Sequence, residues 1–422
     1  MNIALLTDSP FISTGYRNQA IQLCKYFEDK GHKIFWLANG HMGKTIDYAR
    51  LEDGTEVKAK VIGRLNHQYF ADLLQGGFLK QNKIDVLFVI LDTFMLHGDP
   101  KNPTNGWFLK IDTSPAKVCF WYPSDGGGGM PMGCDLILRK CEMPIAYSKF
   151  AQKQVKDYYG LDTDYIPLGT DTKHFHRYND EKRNLLRKQW GLNDKYVVGV
   201  VARNQPRKFL DRTIKAFRKV ADKIPEAVLL MHTDPNDGAA PISLPHLIKR
   251  YNLENRIRFT GMNAMNSFHE QQMVDVYNLM DCFFLSTSGE GWGIPLVEAM
   301  ACEVPVVATD YTTTREIVID NKAGYGINLA GLDELNILGG NMKDYDIEVS
   351  NGTMCGSWEV DRGLCDLNDA ALKICKIHEN PELAKEMGKN GRKAAVEKYD
   401  MMEVVAPAFN KLFEEKNASS TN

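Results

Sequence analysis

Short apolar runs alternate with helical stripes along this chain, and the alternation starts twice. The run from Ile3 to Thr7 predicts a buried strand. A loop over residues 8–15, holding Pro10 and Gly15, leads into Tyr16, Ala20, Leu23, Cys24 and Phe27. Those five share one face at 3.6-residue spacing, and Gly31 ends the helix they predict. Lys33 to Ala38 is the next strand. A helix near residues 68–81, strands at 84–91, 118–122 and 144–146, and a helix at 150–159 stopped by Gly160 complete the first series. Strands of unbroken Val, Ile, Leu and Phe between helices mark a parallel sheet covered on both faces.

Residues 165–171, YIPLGTD, interrupt the rhythm with Pro167 and Gly169 and are the candidate linker. After a charged helix at 180–190 the pattern begins again, with strands predicted at 196–201, 228–231 and 257–260 and helices at 212–223, 245–251 and 268–280. Residues 341–360 fit neither period and read as an insertion or long loop. Helices at 368–378, 381–398 and 402–414 follow, and the polar tail 417–422 is expected to be disordered. The fold class is therefore α/β, with two doubly wound, Rossmann-like domains facing a cleft. The expected partition is 1–168, 169–400, a helix 401–416 returning to the first domain, and the tail. Ligands of such sheets bind outside the carboxyl ends of the strands.

The richest stretch is Cys282 to Ala308, CFFLSTSGEGWGIPLVEAMACEVPVVA. A strand, a turn broken by Gly289, Gly291 and Gly293, a helix from Pro295 to Cys302 and a second strand at 304–308 follow in order. Pro295 suits the first helical position, where its missing N–H costs nothing. Free amides and the dipole at that helix start favour phosphate. Two carboxylates flank the turn, Glu290 in the loop and Glu298 one turn into the helix.

Composition narrows the function without choosing it. At 422 residues the chain exceeds what one core supports, so two domains are the default. A net charge of −3 gives no reason to expect nucleic acid. Nine cysteines without a CxxC read as small core hydrophobes in a reduced, cytoplasmic setting. The first ten residues lack the basic start of a signal peptide, and no run approaches the ~20 apolar residues of a membrane span. Peripheral membrane contact stays open, as does the oligomeric state.

With seven residues between Glu290 and Glu298, EGWGIPLVEAMACEVPVV resembles the E-x7-E signature of retaining group 1 (GT4-type) glycosyltransferases of GT-B fold. Residues 198–208, VGVVARNQPRK, resemble that family's strand ending in Arg with Lys beyond it. Residues 165–175 resemble its interdomain segment, and residues 8–31 its glycine loop and first helix. The resemblance implies a nucleotide-diphosphate-sugar donor and a carbohydrate-type acceptor hydroxyl. It places Arg203 and Lys208 as cationic donors to the leaving diphosphate, where developing charge needs fixed partners. Glu298 would accept from the ribose hydroxyls and Glu290 would face the donor sugar. The donor set also takes in Gly291, the Gly293 and Ile294 amides, Pro295 and Leu296, with Gly15 letting the N-terminal loop approach the phosphates.

Two departures stand out. The family's N-terminal-domain histidine is missing from FWYPSDGGGG, where Asp125 stands as a sugar or acceptor contact or else a turn-forming residue. Glu303 occupies a usual glycine position. Arg207 reads as a surface residue that at most assists Lys208, and His97 and His174 as solvated. Asp162-Thr163-Asp164 mimics a metal motif of the other glycosyltransferase fold but precedes the linker, and the four glycines at 126–129 lack a dinucleotide-site context. Neither a metal nor NAD is expected, and no cofactor beyond the sugar nucleotide. The alternatives are a non-catalytic nucleotide-sugar-binding protein, an epimerase or a hydrolase of similar fold. Two glutamates alone would also suit a glycosidase, though hydrolysis needs no phosphate cradle.

Overall fold

The computed structural model describes residues 1–12, 14–51, 54–64, 69–97, 106–130, 133–237, 242–262, 268–333 and 360–418. They divide into two units, residues 1–169 with 360 and 401–418, and residues 170–333 with 361–400.

In the first unit seven parallel strands form one sheet: β1 (Asn2–Asp8), β2 (Lys33–Met42), β3 (Lys60–Arg64), β4 (Val86–Ile90), β5 (Lys117–Tyr122), β6 (Met143–Ala146) and β7 (Asp164–Tyr165). Their order is β3-β2-β1-β4-β5-β6-β7, so the winding reverses between β1 and β4. All five residues of β4 and residues 118–122 of β5 are buried, because helices cover both faces. The Gly15–Asp29 helix starts on Thr14, whose side chain accepts from Arg17 N.

A second sheet repeats the plan: β8 (Tyr196–Val201), β9 (Ala227–His232), β10 (Ile257–Phe259), β11 (Cys282–Leu285), β12 (Val306–Thr309) and β13 (Gly324–Ile327). Its order is β10-β9-β8-β11-β12-β13, again wholly parallel. Both sheets therefore have the dinucleotide-fold strand order, with the reversal beside the first strand of each. Asp281 anchors the start of β11. It accepts from Arg183, Arg187 and Val197 N, which binds the Asp180–Gln189 helix to the amino ends of β8 and β11.

The residues after Asp400 rejoin the first unit. A single π-type turn at Met401–Val405 runs into the Ala406–Ala418 helix, which buries Phe409 and Phe413 completely. Phe409 packs with ring centroids 4.8 Å from Phe88 and 4.7 Å from Trp121, and Phe413 lies 5.8 Å from Phe27. Burial of each ring contributes about 2–3 kcal/mol of transfer free energy.

Several expected elements differ. The helix at 68–81 is two short pieces, Tyr69–Gln75 and Phe78–Gln81, broken where Gly77 adopts φ 84°. Part of the proposed linker is strand: Asp164–Tyr165 pairs with β6. Pro295 is the second helical residue, since the helix begins at Ile294. The final helix runs to Ala418, so residues 417–418 of the expected tail are helical, while 419–422 lie outside the described residues. The expected insertion at 341–360 also lies outside them except for Val360. Of the cysteines described, all are free and all but Cys141 are buried. Among the described residues no helix is long and apolar enough to cross a membrane.

Candidate active site

The carboxyl ends of β8 and β11 carry the loops that matter, and three small hydroxyl residues stitch them together. Ser286 Oγ donates to Phe209 O at 2.9 Å, Thr287 Oγ1 to Arg207 O at 3.2 Å, and Ser288 Oγ to Arg207 O at 3.0 Å. Ser288 N adds a 2.7 Å bond to the same Arg207 carbonyl. The short 3-10 turn Pro206–Lys208 is thereby pinned against the glutamate loop.

That seam delivers Lys208 to Glu290. Lys208 Nζ donates to Oε1 at 2.6 Å and Oε2 at 2.7 Å, and Arg207 Nη1 reaches Oε2 at 3.1 Å. Glu290 is 3% exposed. Burial alone would raise its pKa, but the Lys208 and Arg207 charges outweigh it and hold the carboxyl at about 2. Two cations thus share one carboxylate. Arg207, expected on the surface, is half-buried here because its guanidinium is drawn onto that carboxylate.

Behind the loop stand two threonines. Thr312 Oγ1 accepts from Glu290 N at 2.9 Å, and Thr313 Oγ1 donates to Trp292 O at 2.8 Å. Thr312 holds φ 50°, a costly conformation for a β-branched residue. Gly293 ends the turn at φ 94°, where an added Cβ would fall 2.7 Å from Leu296 Cδ1. From Gly293 the Ile294–Ala301 helix begins without a side-chain cap. Its Leu296 is fully buried and donates N–H to Gly293 O at 2.9 Å, so that side chain and amide are committed inward, against the expectation of a ligand contact.

Glu298 sits one turn on and is partly exposed. Tyr277 OH donates to its Oε2 at 2.6 Å. Burial, with Glu270 adding a like charge, raises its pKa to about 7 against the effect of that hydrogen bond. Two glutamates of one turn are therefore pushed in opposite directions by their surroundings.

Arg203 lies elsewhere. Its side chain is 61% exposed, with Nε on Asp237 at 3.0 Å. Pro295 and Gly291 are partly exposed beside the helix start. Gly15 and Asp125 belong to the first unit, Gly15 as the exposed first residue of its helix and Asp125 half-buried past β5. Glu303 takes φ 58° just after the helix, where its carbonyl faces Gly388. Asp162 of the metal-like triplet pairs with Lys156 at 2.6 Å. The His97 side chain lies outside what is described, and the His174 ring packs on Phe175. Among the described residues no group of three or more His, Cys, Asp or Glu is placed to hold a metal ion. Sequence reasoning missed Thr312, Thr313, Tyr277 and the Ser286–Ser288 seam, whose contacts join residues far apart in the chain.

Residues 182–328 match the family model described as "Glycosyl transferases group 1", a span that contains Lys208, Glu290 and Glu298. That stretch is similar to the group 1 glycosyl transferases. Mannosylfructose-phosphate synthase of Agrobacterium fabrum is 29% identical over 182 residues, covering 41% of this chain and 39% of that one. The chain thus aligns with less than half the length of the curated relatives it first matches. Among solved structures, sucrose-phosphate synthase from Thermosynechococcus elongatus superposes with a TM-score of 0.71 at 18% identity over 99% of both chains. Anabaena HepE in complex with UDP-glucose gives 0.68 at 17% identity over 99% of this chain and 100% of that one. The chain therefore shares the GT-B fold of these structures.

Proposed function

We propose that this protein is a retaining glycosyltransferase that moves a sugar from a nucleotide-diphosphate-sugar donor to an acceptor hydroxyl. The observation that carries the reading is the Lys208–Glu290–Arg207 cluster beside the uncapped Gly293–Ile294 helix start. Lys208 and Arg207 bring two cations to the site, and the helix end adds its own positive pole. That field is aimed at charge that grows on a diphosphate as its glycosidic bond breaks. HepE, as crystallised with UDP-glucose, has the same fold around such a donor.

In this reading Lys208 and the Gly293 and Ile294 amides meet the diphosphate. Glu298 accepts from two ribose hydroxyls, and Glu290, fixed as a carboxylate, accepts from the donor sugar. Arg203 swings from Asp237 to the phosphates when donor binds. The leaving phosphate takes the acceptor proton as the acceptor attacks from the same face, so no enzymic nucleophile is needed and the anomeric configuration is kept. The first unit supplies acceptor contacts, Asp125 among them, and Gly15 admits the phosphates.

Incubation with a panel of UDP-, GDP- and ADP-sugars, with and without carbohydrate acceptors, tests it by nucleotide release and product stereochemistry. Acceptor-stimulated release with a retained anomer is expected. Donor binding without release for every pair would leave a binding protein instead.

A further inference from the structure

Glu298 is met by a helix whose far end is tied down. In the Glu270–Leu279 helix, Arg187 Nη1 donates to Leu279 O at 2.8 Å and Arg183 Nε to Asn278 O at 3.0 Å. Asn278 Nδ2 adds a 3.0 Å bond to His176 O. Carbonyls that a helix end leaves open are thus paired, and its last turn is held in place. Tyr277 lies in that turn and is wholly buried, edge-on to Phe175 at 6.0 Å and tilted against Phe283 at 6.1 Å. From this fixed ring the hydroxyl donates to Glu298 Oε2 at 2.6 Å.

A phenylalanine would fill the same space, so the hydroxyl needs its own reason. Around Glu298 the charges do little to keep it ionised. Glu270, on the Tyr277 helix, opposes ionisation together with burial, and only the Tyr277 bond works the other way. The thiol of Cys302, one turn further on, is itself pushed up by burial and by Glu298. Arg392, from the Pro381–Lys398 helix, puts Nη1 on the carbonyls of Thr172, Phe175 and Ala301, and Arg315 pairs with Asp310. Tyr277 therefore takes one acceptor position on Oε2, while Oε1 stays available to a ligand.

We propose that Tyr277 is a positioning residue for nucleotide recognition, fixing Glu298 through Oε2 so that the carboxylate selects ribose over 2′-deoxyribose. The inference rests on the transferase reading, which puts the ribose at Glu298. A carboxylate free to turn can swing to water when a ligand hydroxyl is missing. One that is held in place stays facing the gap with an unmet acceptor, and the deoxy ligand bears that cost.

Calorimetric titration of the full chain at pH 6 and pH 8 by UDP, GDP and ADP, and by their 2′-deoxy forms, tests it. At pH 8 wild type should hold its preferred ribonucleotide about tenfold more tightly than the deoxy form. Tyr277→Phe should cut that preference to about threefold or less, and should need a higher pH to reach it. Added to Glu298→Gln, the same change should alter the preference no further. A merely structural tyrosine would move Tm and leave preference and pH step in place. Wild-type preference in Tyr277→Phe, or an equal loss in the Glu298→Gln background, overturns the proposal. Melts without nucleotide read the link separately. Ionised Glu298 lacks its donor in Tyr277→Phe, so this variant should lose more Tm than wild type between pH 6 and pH 9, and equal losses also overturn it. Absence of binding by every nucleotide sinks the transferase reading and the ribose role with it, whereas strong binding with unchanged preference sinks this inference alone.

Discussion

Lys208 Nζ holds both carboxylate oxygens of Glu290, at 2.6 and 2.7 Å, inside the second unit. Removing either partner strands a buried charge, so Lys208→Met or Glu290→Gln should each destabilise the unit by about 3–5 kcal/mol. The double variant should cost clearly less than the sum, because the pair is one interaction. Chemical denaturation of the four proteins measures the cycle. Additive losses would mean the contact is not energetically coupled.

The same pair predicts an acid limit. Glu290 has its pKa depressed to about 2, so its stabilising contribution is present above the ordinary glutamate value and is lost as pH falls through about 2. Between pH 5 and pH 2 wild type should lose stability relative to Glu290→Gln, and the two curves should converge. Thermal melts across that range read it.

Glu298 has the opposite sign. Its pKa is raised to about 7, so the neutral acid is favoured by the fold, and that contribution fades as pH rises through 7. In its proposed role Glu298 accepts from ribose hydroxyls as a carboxylate, so nucleotide affinity should strengthen as pH rises through about 7. Titration at pH 6 and pH 8 should show this in wild type. Glu298→Gln should bind more weakly, with no pH step.

Gly293→Ala places a Cβ 2.7 Å from Leu296 Cδ1 in backbone at φ 94°. The strain should cost about 1–2 kcal/mol and turn the helix-start amides, lowering donor affinity more than stability. Gly261, at φ 88° with open space around its Cβ, is the control: Gly261→Ala should pay the backbone strain and leave affinity unchanged.

Thr312 joins strain to a hydrogen bond on Glu290 N, 2.9 Å away. Thr312→Val keeps the branched shape and deletes the acceptor, which should cost about 1–3 kcal/mol and slow turnover. Thr312→Ser should restore both. Paired melting and turnover measurements decide it, and an active Thr312→Val would show that the loop does not depend on this contact.

The main strands were legible because their apolar runs are unbroken; the run at Tyr196–Val201 is β8 with the same bounds. Lys60–Arg64 escaped notice because it is a five-residue edge strand carrying Gly63. The Glu290–Glu298 spacing was visible as local sequence, and Lys208 by resemblance. What those residues touch was not. Arg207 has no local signal that separates it from a solvated arginine, and its place on Glu290 depends on a seam 80 residues away in the chain. Thr312 lies 22 residues from Glu290, Tyr277 21 from Glu298 and Tyr16 76 from Asp92, each beyond the reach of local periodicity.

The return of Phe409 and Phe413 to Phe88 and Trp121 has a kinetic consequence during synthesis. The first sheet emerges from the ribosome with an aromatic socket that stays empty until residues 170–400 have been made. At about 5–20 residues per second that wait is roughly 10–50 s. For that interval a sticky face of the nascent chain is open to chaperones, or to a neighbouring copy.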